Sequence, residues 1–198
     1  MKRRILALLL CGMMLIAGCG NTKTEETKSD AEQTEPATES TMTQDEFHGV
    51  SYQIPKSWTK STETDVDAIY YIPEGENEHD IVIMLLYTDF KDKNVYSVYT
   101  VRQIYEKMVE GLTNTTGITE LTEDYRELNG YPVGIAKYLQ TSEEEVFGAT
   151  QHFFAMPEQE GLFTCGYVVS KGVEDVYEDD YQALLDSLQF PSAAPSME

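Results

Sequence analysis

The stretch IVIMLLY, residues 81–87, consists of seven apolar residues in a row. A strand with one wet face would alternate apolar and polar residues, whereas an unbroken run of this kind is typical of a strand covered on both faces. Two shorter strand patterns precede it, GVSYQIP at 49–55 and DAIYYIP at 67–73, each ending at a proline. We therefore expect a β-sheet with packed layers on both sides of residues 81–87.

Four more strand patterns follow in the second half of the chain, at about 118–128, 131–140, 146–156 and 161–169. The segment NGYP at 129–132 predicts a tight hairpin, because Asn-Gly adopts positive φ at little cost. TSEEE and PEQEG separate the next strands in the same way. Consecutive strands joined by such short turns must run antiparallel.

Two segments have the apolar periodicity of amphipathic helices. The first is VYSVYTVRQIYEKMVEGLT, residues 95–113, and the second is VEDVYEDDYQALLDSL, residues 173–188. The predicted apolar faces are Val98, Val101, Tyr105, Met108, Val109 and Leu112 in the first helix, and Val173, Tyr177, Tyr181, Leu184, Leu185 and Leu188 in the second. Because residues 81–87 are apolar on both faces, we predict an α+β domain over 46–191: an antiparallel β-sheet flanked by two α-helices, one on each side.

This order of elements resembles the PsbP-like fold, an α/β/α sandwich found in photosystem extrinsic subunits and in small bacterial lipoproteins. The resemblance is carried by GVSYQIPKSW with Trp58, by the long helix after the hydrophobic strand, and by the closing LLDSLQF. It implies a binding or assembly role and no enzyme activity. No functional motif of the photosystem members is present to transfer to this chain.

The N-terminus has the features of a lipoprotein signal. Three basic residues, Lys2 to Arg4, precede the apolar run ILALLLCGMMLIA at 5–17, which is shorter than the roughly 20 residues of a membrane-spanning helix. Ile16-Ala17-Gly18-Cys19 resembles a bacterial lipobox, which implies cleavage between Gly18 and Cys19 and a diacylglycerol, with a further fatty acid such as palmitate, on Cys19. An ordinary secretory signal and a retained anchor are the alternatives.

These features predict a protein that is held on the cell membrane by its lipid and faces outside the cytoplasm. We expect a signal peptide at 1–18, a disordered Thr- and Glu-rich tether at 19–45, and a disordered tail at 192–198. The tether contains no aromatic residue and almost no aliphatic one, so it cannot bury enough apolar surface to offset the entropy of ordering it.

Charge excludes nucleic acid as a partner. The signal holds three of the 14 basic residues, so the mature chain carries 11 basic and 35 acidic residues, a formal charge of −24. Affinity for nucleic acid depends on Lys and Arg at phosphates, and anionic lipid surfaces repel such a domain as well. Cationic partners are favoured.

No catalytic or metal-binding pattern is present, so we predict no enzyme activity, no cofactor and no metal. His48, His79 and His152 lie on separate segments, and Cys165, in an apolar strand, is expected to be a buried structural residue. Serine-hydrolase, phosphate-loop and dinucleotide motifs are missing. Two oxygen-rich loops, at 74–80 and 89–94, leave calcium open as an alternative.

The predicted function is a non-catalytic binding or assembly module for another envelope protein. The alternative is a surface receptor for a small ligand or a cation. Two candidate binding surfaces follow from the helical periodicity: an exposed tyrosine pair that points away from the first apolar face, and an acidic face opposite the apolar face of the last helix. Their residues are Tyr96 and Tyr99, and Asp175, Glu178, Asp179 and Asp186.

Overall fold

The structure is a computed structural model, and it describes residues 41–61, 67–76, 81–142, 145–170 and 175–197. The predicted signal peptide, Cys19 and most of the predicted tether lie outside these residues, as does His79. The strands are β1 Met42–Phe47, β2 Val50–Pro55, β3 Trp58–Lys60, β4 Ala68–Pro73, β5 Ile81–Asp89, β6 Ile118–Leu128, β7 Tyr131–Ser142, β8 Glu145–Met156 and β9 Gly161–Ser170. The helices are α1 Val95–Val98, α2 Val101–Thr113 and α3 Glu178–Ser187.

Seven of these strands form one antiparallel sheet in the order β3-β4-β5-β9-β8-β7-β6. β5, which contains the seven-residue apolar run, lies inside this sheet between β4 and β9. The hairpins β6–β7, β7–β8 and β8–β9 are paired as their short turns require. The antiparallel arrangement is therefore confirmed.

The two faces of the sheet support two separate hydrophobic cores. On β5, Val82, Met84 and Leu86 pack with α2, whereas Ile83 and Leu85 pack with α3. The separate hairpin β1–β2 shares the second face with α3. One helix on each side of an antiparallel sheet confirms the predicted α+β sandwich.

The first predicted helix is interrupted. α1 ends at Val98, Tyr99 is extended at φ −121° and ψ 142°, and α2 begins at Val101. Thr100 forms a capping box with Gln103, in which each side chain accepts from the other residue's backbone N–H. This box satisfies backbone donors at a new helix start, so a continuous helix from 95 to 113 was wrong, and Val98 is exposed rather than part of the apolar face.

The last helix is shorter than predicted. α3 starts at Glu178, and Asp175 lies in the turn that leads to it. Three acidic residues, Glu178, Asp179 and Asp180, occupy the first turn, where negative charge is favoured by the helix dipole. Val173 lies outside the described residues, so the N-terminal part of the predicted apolar face is not described.

The folded domain begins before residue 46. β1 starts at Met42 and pairs with β2 along its whole length, from Met42 opposite Pro55 to Phe47 opposite Val50. Asp45, which was placed in the tether, accepts hydrogen bonds from the Tyr71 hydroxyl at 2.6 Å and the Lys60 ammonium at 3.0 Å. The last four residues of the predicted tether are therefore part of a strand.

The C-terminal tail also contacts the domain. The N–H of Arg102, at the start of α2, donates to the Met197 carbonyl at 3.2 Å, and Met197 packs against the core on the α2 side. The expectation of a disordered tail over 192–198 was wrong at Met197, because an apolar side chain and an unsatisfied helix donor are both stabilised there.

Candidate functional site

α3 leaves part of its face of the sheet uncovered. The helix has ten residues, about 15 Å at 1.5 Å per residue, whereas β7 and β8 have 12 residues each, about 40 Å. Beside the helix lies a groove with a volume of about 320 Å³. Its floor is the sheet, and one of its walls is α3.

The floor consists of alternate residues on three neighbouring strands. Side chains two positions apart share a face of a strand, and the register places the partners on β7, β8 and β9 in rows. Gly148 has no side chain and Thr150 has a short one, so the centre of the floor is low. The rows are Lys137–Thr150–Tyr167 and Leu139–Gly148–Val169.

The α3 wall is one face of that helix. Glu178, Tyr181, Gln182 and Leu185 line the groove, and their spacing of three and four residues puts them on the same side of a helix. Asp175, in the turn before the helix, extends this wall. The wall therefore changes from apolar at Leu185 to acidic at its N-terminal end.

His152 lies at the bottom of the groove and is only 4% exposed. Its Nδ1 is 2.9 Å from the Tyr181 hydroxyl, and that hydroxyl donates to the Cys165 carbonyl at 3.0 Å. Because the hydroxyl proton is used on the carbonyl, Nδ1 must carry the proton that joins His152 to Tyr181. The other ring nitrogen, Nε2, is then an acceptor in the neutral ring.

The ring stays neutral over the physiological pH range. Burial, followed by the positive charges of Arg126 and Lys137, lowers the pKa of His152 to about 3. Desolvation disfavours the charged imidazolium, and the two cations repel it. His152 is therefore a neutral polar group at the groove floor near neutral pH.

The groove has walls of opposite charge. Arg126 on β6 and Lys137 on β7 lie on the strand side together with one acidic residue, Glu120 of β6, so this side has a net positive charge. Asp175 and Glu178 lie on the α3 side. Arg126 is 3.9 Å from Asp124, a carboxylate of its own strand. Among the described residues, no ion pair within 4.0 Å joins the basic residues to Asp175 or Glu178, so the two walls do not neutralise each other by direct contact.

The acidic residues predicted as a binding surface are divided by the fold. Asp175 and Glu178 line the groove, whereas Asp179 and Asp186 lie outside its lining and are exposed. Val176, next to Asp175, is 64% exposed. The Asp186 carboxylate accepts a hydrogen bond from Gln182 at 2.8 Å.

The predicted tyrosine pair is not an exposed pair. The Tyr96 hydroxyl donates to the Gly161 carbonyl and accepts from the Met156 N–H at 3.0 Å, and its ring packs against the core on the α2 side. Burial also raises the pKa of this hydroxyl above its usual value. Only Tyr99 is exposed, with the Lys107 ammonium 4.9 Å from its ring centroid. The outward orientation of Tyr96 assumed a continuous helix, and the break at Tyr99 invalidates it.

Sequence reasoning missed Arg126, Lys137 and His152 as members of one site. The sequence does show two basic residues on predicted strands of an acidic chain. Only the pairing of β6 with β7, β7 with β8 and β8 with β9 brings these two residues beside His152. Cys165 lies opposite His152 in the register, yet it is fully buried, and burial raises the pKa of its thiol. In the described part of the chain no three metal-ligating side chains come together.

The described helices include none that has both the length and the apolar character needed to cross a membrane. No family model and no curated protein sequence matches the chain. Solved structures do resemble it, although at low sequence identity, and the three below are each matched over nearly their whole length.

CyanoP, the cyanobacterial PsbP of Synechocystis sp. PCC 6803, has a TM-score of 0.56 at 10% identity, covering 80% of this chain and 98% of that one. LpqN of Mycobacterium tuberculosis has a TM-score of 0.55 at 12% identity, covering 75% and 89%. Mog1p of Saccharomyces cerevisiae has a TM-score of 0.50 at 11% identity, covering 75% and 94%. Identities this low establish architecture and nothing finer, and the chain has the PsbP-like fold.

Proposed function

We propose that this protein is a non-catalytic binding module, held on the outer side of the cell membrane by a lipid on Cys19, and that its partner is another envelope protein. The observation that carries this proposal is the half-covered α3 side of the sheet. It combines a groove, an exposed Val176 and an exposed acidic helix surface. The partner is expected to present basic residues to it.

Several features support a binding role. The floor is built on paired strands, so the backbone that carries its side chains is in place without a partner. Glu178, Asp179 and Asp186 carry negative charge on one short helix, and charge of one sign on a surface speeds and orients association with the opposite sign. An exposed apolar residue inside such a surface adds the contact area that most binding energy requires.

The solved structures with this fold are compatible with that role. LpqN is described as involved in cell envelope biogenesis, and Mog1p as a Ran-binding protein. Neither description refers to catalysis. The lipid on Cys19 is supported by the basic start, the short apolar run and the lipobox-like Ile16-Ala17-Gly18-Cys19, and two or three acyl chains suffice for stable anchoring.

The test is crosslinking in cells, followed by purification of the tagged protein and mass spectrometry. The wild type is compared with Asp179→Lys/Asp186→Lys, which reverses two charges on α3. The matched control is Glu110→Lys/Glu127→Lys, which makes the same charge change with exposed residues of α2 and β6. The Cys19→Ala variant tests the anchor and is expected to leave the membrane fraction.

The proposal predicts one abundant envelope protein that crosslinks to the wild type and to the control. Its yield should drop by about tenfold or more in the α3 variant, since removing two charge contacts costs over 1 kcal/mol. An equal loss of crosslinking yield in both variants would mean that the change in net charge causes the loss, and not the α3 surface. A protein that crosslinks equally to all three would place the partner on another surface.

A further inference from the structure

We propose that the groove beside α3 binds a small dipolar ligand, a short peptide whose free carboxylate meets Arg126 and Lys137 and whose ammonium group meets Asp175 and Glu178. This site goes beyond the proposed protein partner and does not depend on it. It assigns a ligand class to a cavity in which the predicted acidic residues form only one of the two walls.

The carboxylate end follows from the position of the basic residues. The chain has few basic residues in an acidic sequence, yet two of them reach one groove and lie near the same buried ring. A guanidinium offers a fork of donors that matches a carboxylate, and an ammonium adds a point charge beside it. Asp124, at 3.9 Å from Arg126, leaves room for a closer and better aligned carboxylate.

The ammonium end follows from the opposite wall. Asp175 and Glu178 are three residues apart, across the turn that becomes α3, and both line the groove. They therefore form a second charged group in the lining of the cavity, on the α3 side and not on the strand side. A ligand with only a negative charge would offer no counter-charge to Asp175 and Glu178. A ligand with only a positive charge would offer none to Arg126 and Lys137.

The middle of the groove suits a peptide bond. His152 is neutral, with Nδ1 committed to Tyr181, so its Nε2 is an acceptor for an N–H group. Thr150 and Gln182 add a hydroxyl and an amide along the same cavity, and these groups both donate and accept. Peptide N–H and C=O groups need such partners when they leave water.

Size favours a ligand of a few residues. The cavity holds about 320 Å³, near the lower end of small-molecule sites, which are about 300 to 1,000 Å³. A dipeptide has its ammonium and carboxylate at opposite ends, as the two walls require. A free amino acid carries both charges on one carbon and cannot reach both walls equally well.

The test is isothermal titration calorimetry on the mature lipidated protein in detergent, with L-alanyl-L-alanine as the probe. Three analogues remove the ammonium by N-acetylation, the carboxylate by amidation, or both. We expect binding of the dipeptide, with affinity lower by about tenfold or more for each analogue that lacks one charge. Free alanine, which has both charges on one carbon, should bind more weakly than the dipeptide.

Variants show which residues contact the carboxylate of the ligand and which contact its ammonium group. Arg126→Gln should weaken the dipeptide and its N-acetyl analogue, while it leaves the affinity for the amidated analogue unchanged. Asp175→Asn should act in the opposite way, on the ligands that retain an ammonium. The matched control is Lys107→Gln on α2, which removes a positive charge that lies beside the Tyr99 ring. All three positions are exposed, and thermal unfolding checks that each variant is folded.

The absence of heat at millimolar dipeptide would overturn the proposal, as would equal affinity for the dipeptide and its doubly blocked analogue. Binding that Arg126→Gln and Lys107→Gln weaken to the same extent would also overturn it. A longer N-acetylated peptide with a free carboxylate that binds as tightly as the dipeptide would identify a protein C-terminus as the occupant and contradict the dipolar claim. None of these titrations uses Asp179 or Asp186, so their outcome is independent of the crosslinking result.

Discussion

The two faces of the sheet are built from the same strands but are covered to different extents. On the α2 face, a 13-residue helix with a capping box lies over the strands, and Tyr105 is fully buried. On the α3 face, a ten-residue helix without a side-chain N-cap shares the surface with the β1–β2 hairpin and leaves a charged groove. The closed face contributes packing, and the open face retains polar groups that a ligand can contact.

Close packing on the α2 face extends to the backbone. Gly134 on β7 lies directly under the Tyr105 ring, and a Cβ atom there would be 2.7 Å from Tyr105 Cγ. The Tyr105 hydroxyl donates to the Pro132 carbonyl at 2.9 Å and accepts from the Ala155 N–H at 3.0 Å. On the α3 face, in contrast, Gly148 and Thr150 are only partly buried and line the groove.

The largest expected difference between the faces comes from two positions on β8 that are three residues apart and lie on opposite faces of the sheet. Phe153 is fully buried on the α2 face, and Thr150 lies at the groove floor. Phe153→Ala should lower the free energy of unfolding by about 3 to 5 kcal/mol because it leaves a cavity. Thr150→Ala should change it by less than about 1 kcal/mol. Urea unfolding, followed by the fluorescence of Trp58, measures both, and equal losses would mean that the groove floor is as tightly packed as the core.

A second difference concerns pH and belongs to the α3 face. His152 has a folded pKa of about 3, below the usual 6.5, so the unfolded chain binds more protons once the pH falls below 6.5. This group should therefore lower stability by about 2 kcal/mol between pH 7 and pH 5. His152→Asn keeps a donor near the Nδ1 position and cannot titrate, so its unfolding free energy should fall less over that range. Parallel pH profiles would show that the ring is not buried neutral.

A third prediction tests the buried hydrogen bonds of the Tyr105 hydroxyl on the α2 face. Tyr105→Phe keeps the ring but leaves the Ala155 N–H and the Pro132 carbonyl without this partner. Unfolding free energy should fall by about 1 to 3 kcal/mol, since buried polar groups lose a bond that water cannot replace. Hydrogen exchange at Ala155 should accelerate with it. Tyr125→Phe, whose hydroxyl donates to Glu123 on the exposed strand β6, is the control and should have little effect.

The smallest expected effect on the free energy of unfolding is at the start of α2. Thr100→Ala removes the side-chain acceptor of the Gln103 N–H and breaks the capping box of α2, which should cost about 1 kcal/mol. Thr100→Ser preserves the hydroxyl and should be nearly neutral. Urea midpoints measure both, and an Ala variant as stable as the wild type would mean that packing alone defines the start of α2.

Much of the sandwich could be predicted because its signals are local. The apolar run at 81–87, the Asn129-Gly130 turn and the strand patterns from 118 to 169 each depend on neighbouring residues, and all correspond to elements of the sheet. β1 could not be predicted in the same way. Met42–Phe47 is mostly polar and half of its residues are exposed, and it is a strand because β2 pairs with it.

The site was less predictable because it is made by tertiary contacts. Asp175 and Glu178 were selected for helical periodicity, but Arg126 and Lys137 join them only through the register of β6 to β8. The helical wheel failed for Tyr96 because it assumed no break, and Thr100 capping creates one. The neutral state of His152 depends on its burial in the folded sheet and on the charges of Arg126 and Lys137, and its tautomer depends on Tyr181, 29 residues away in sequence.

The central claim is that the open face binds and the closed face does not. The most direct measurement is site-specific photo-crosslinking in cells, with the photoreactive residue placed at Gln182 on α3 or at Glu110 on α2, both exposed. We predict a discrete crosslinked species from Gln182 and none from Glu110. Crosslinking from Glu110 alone, or equally from both positions, would contradict the claim.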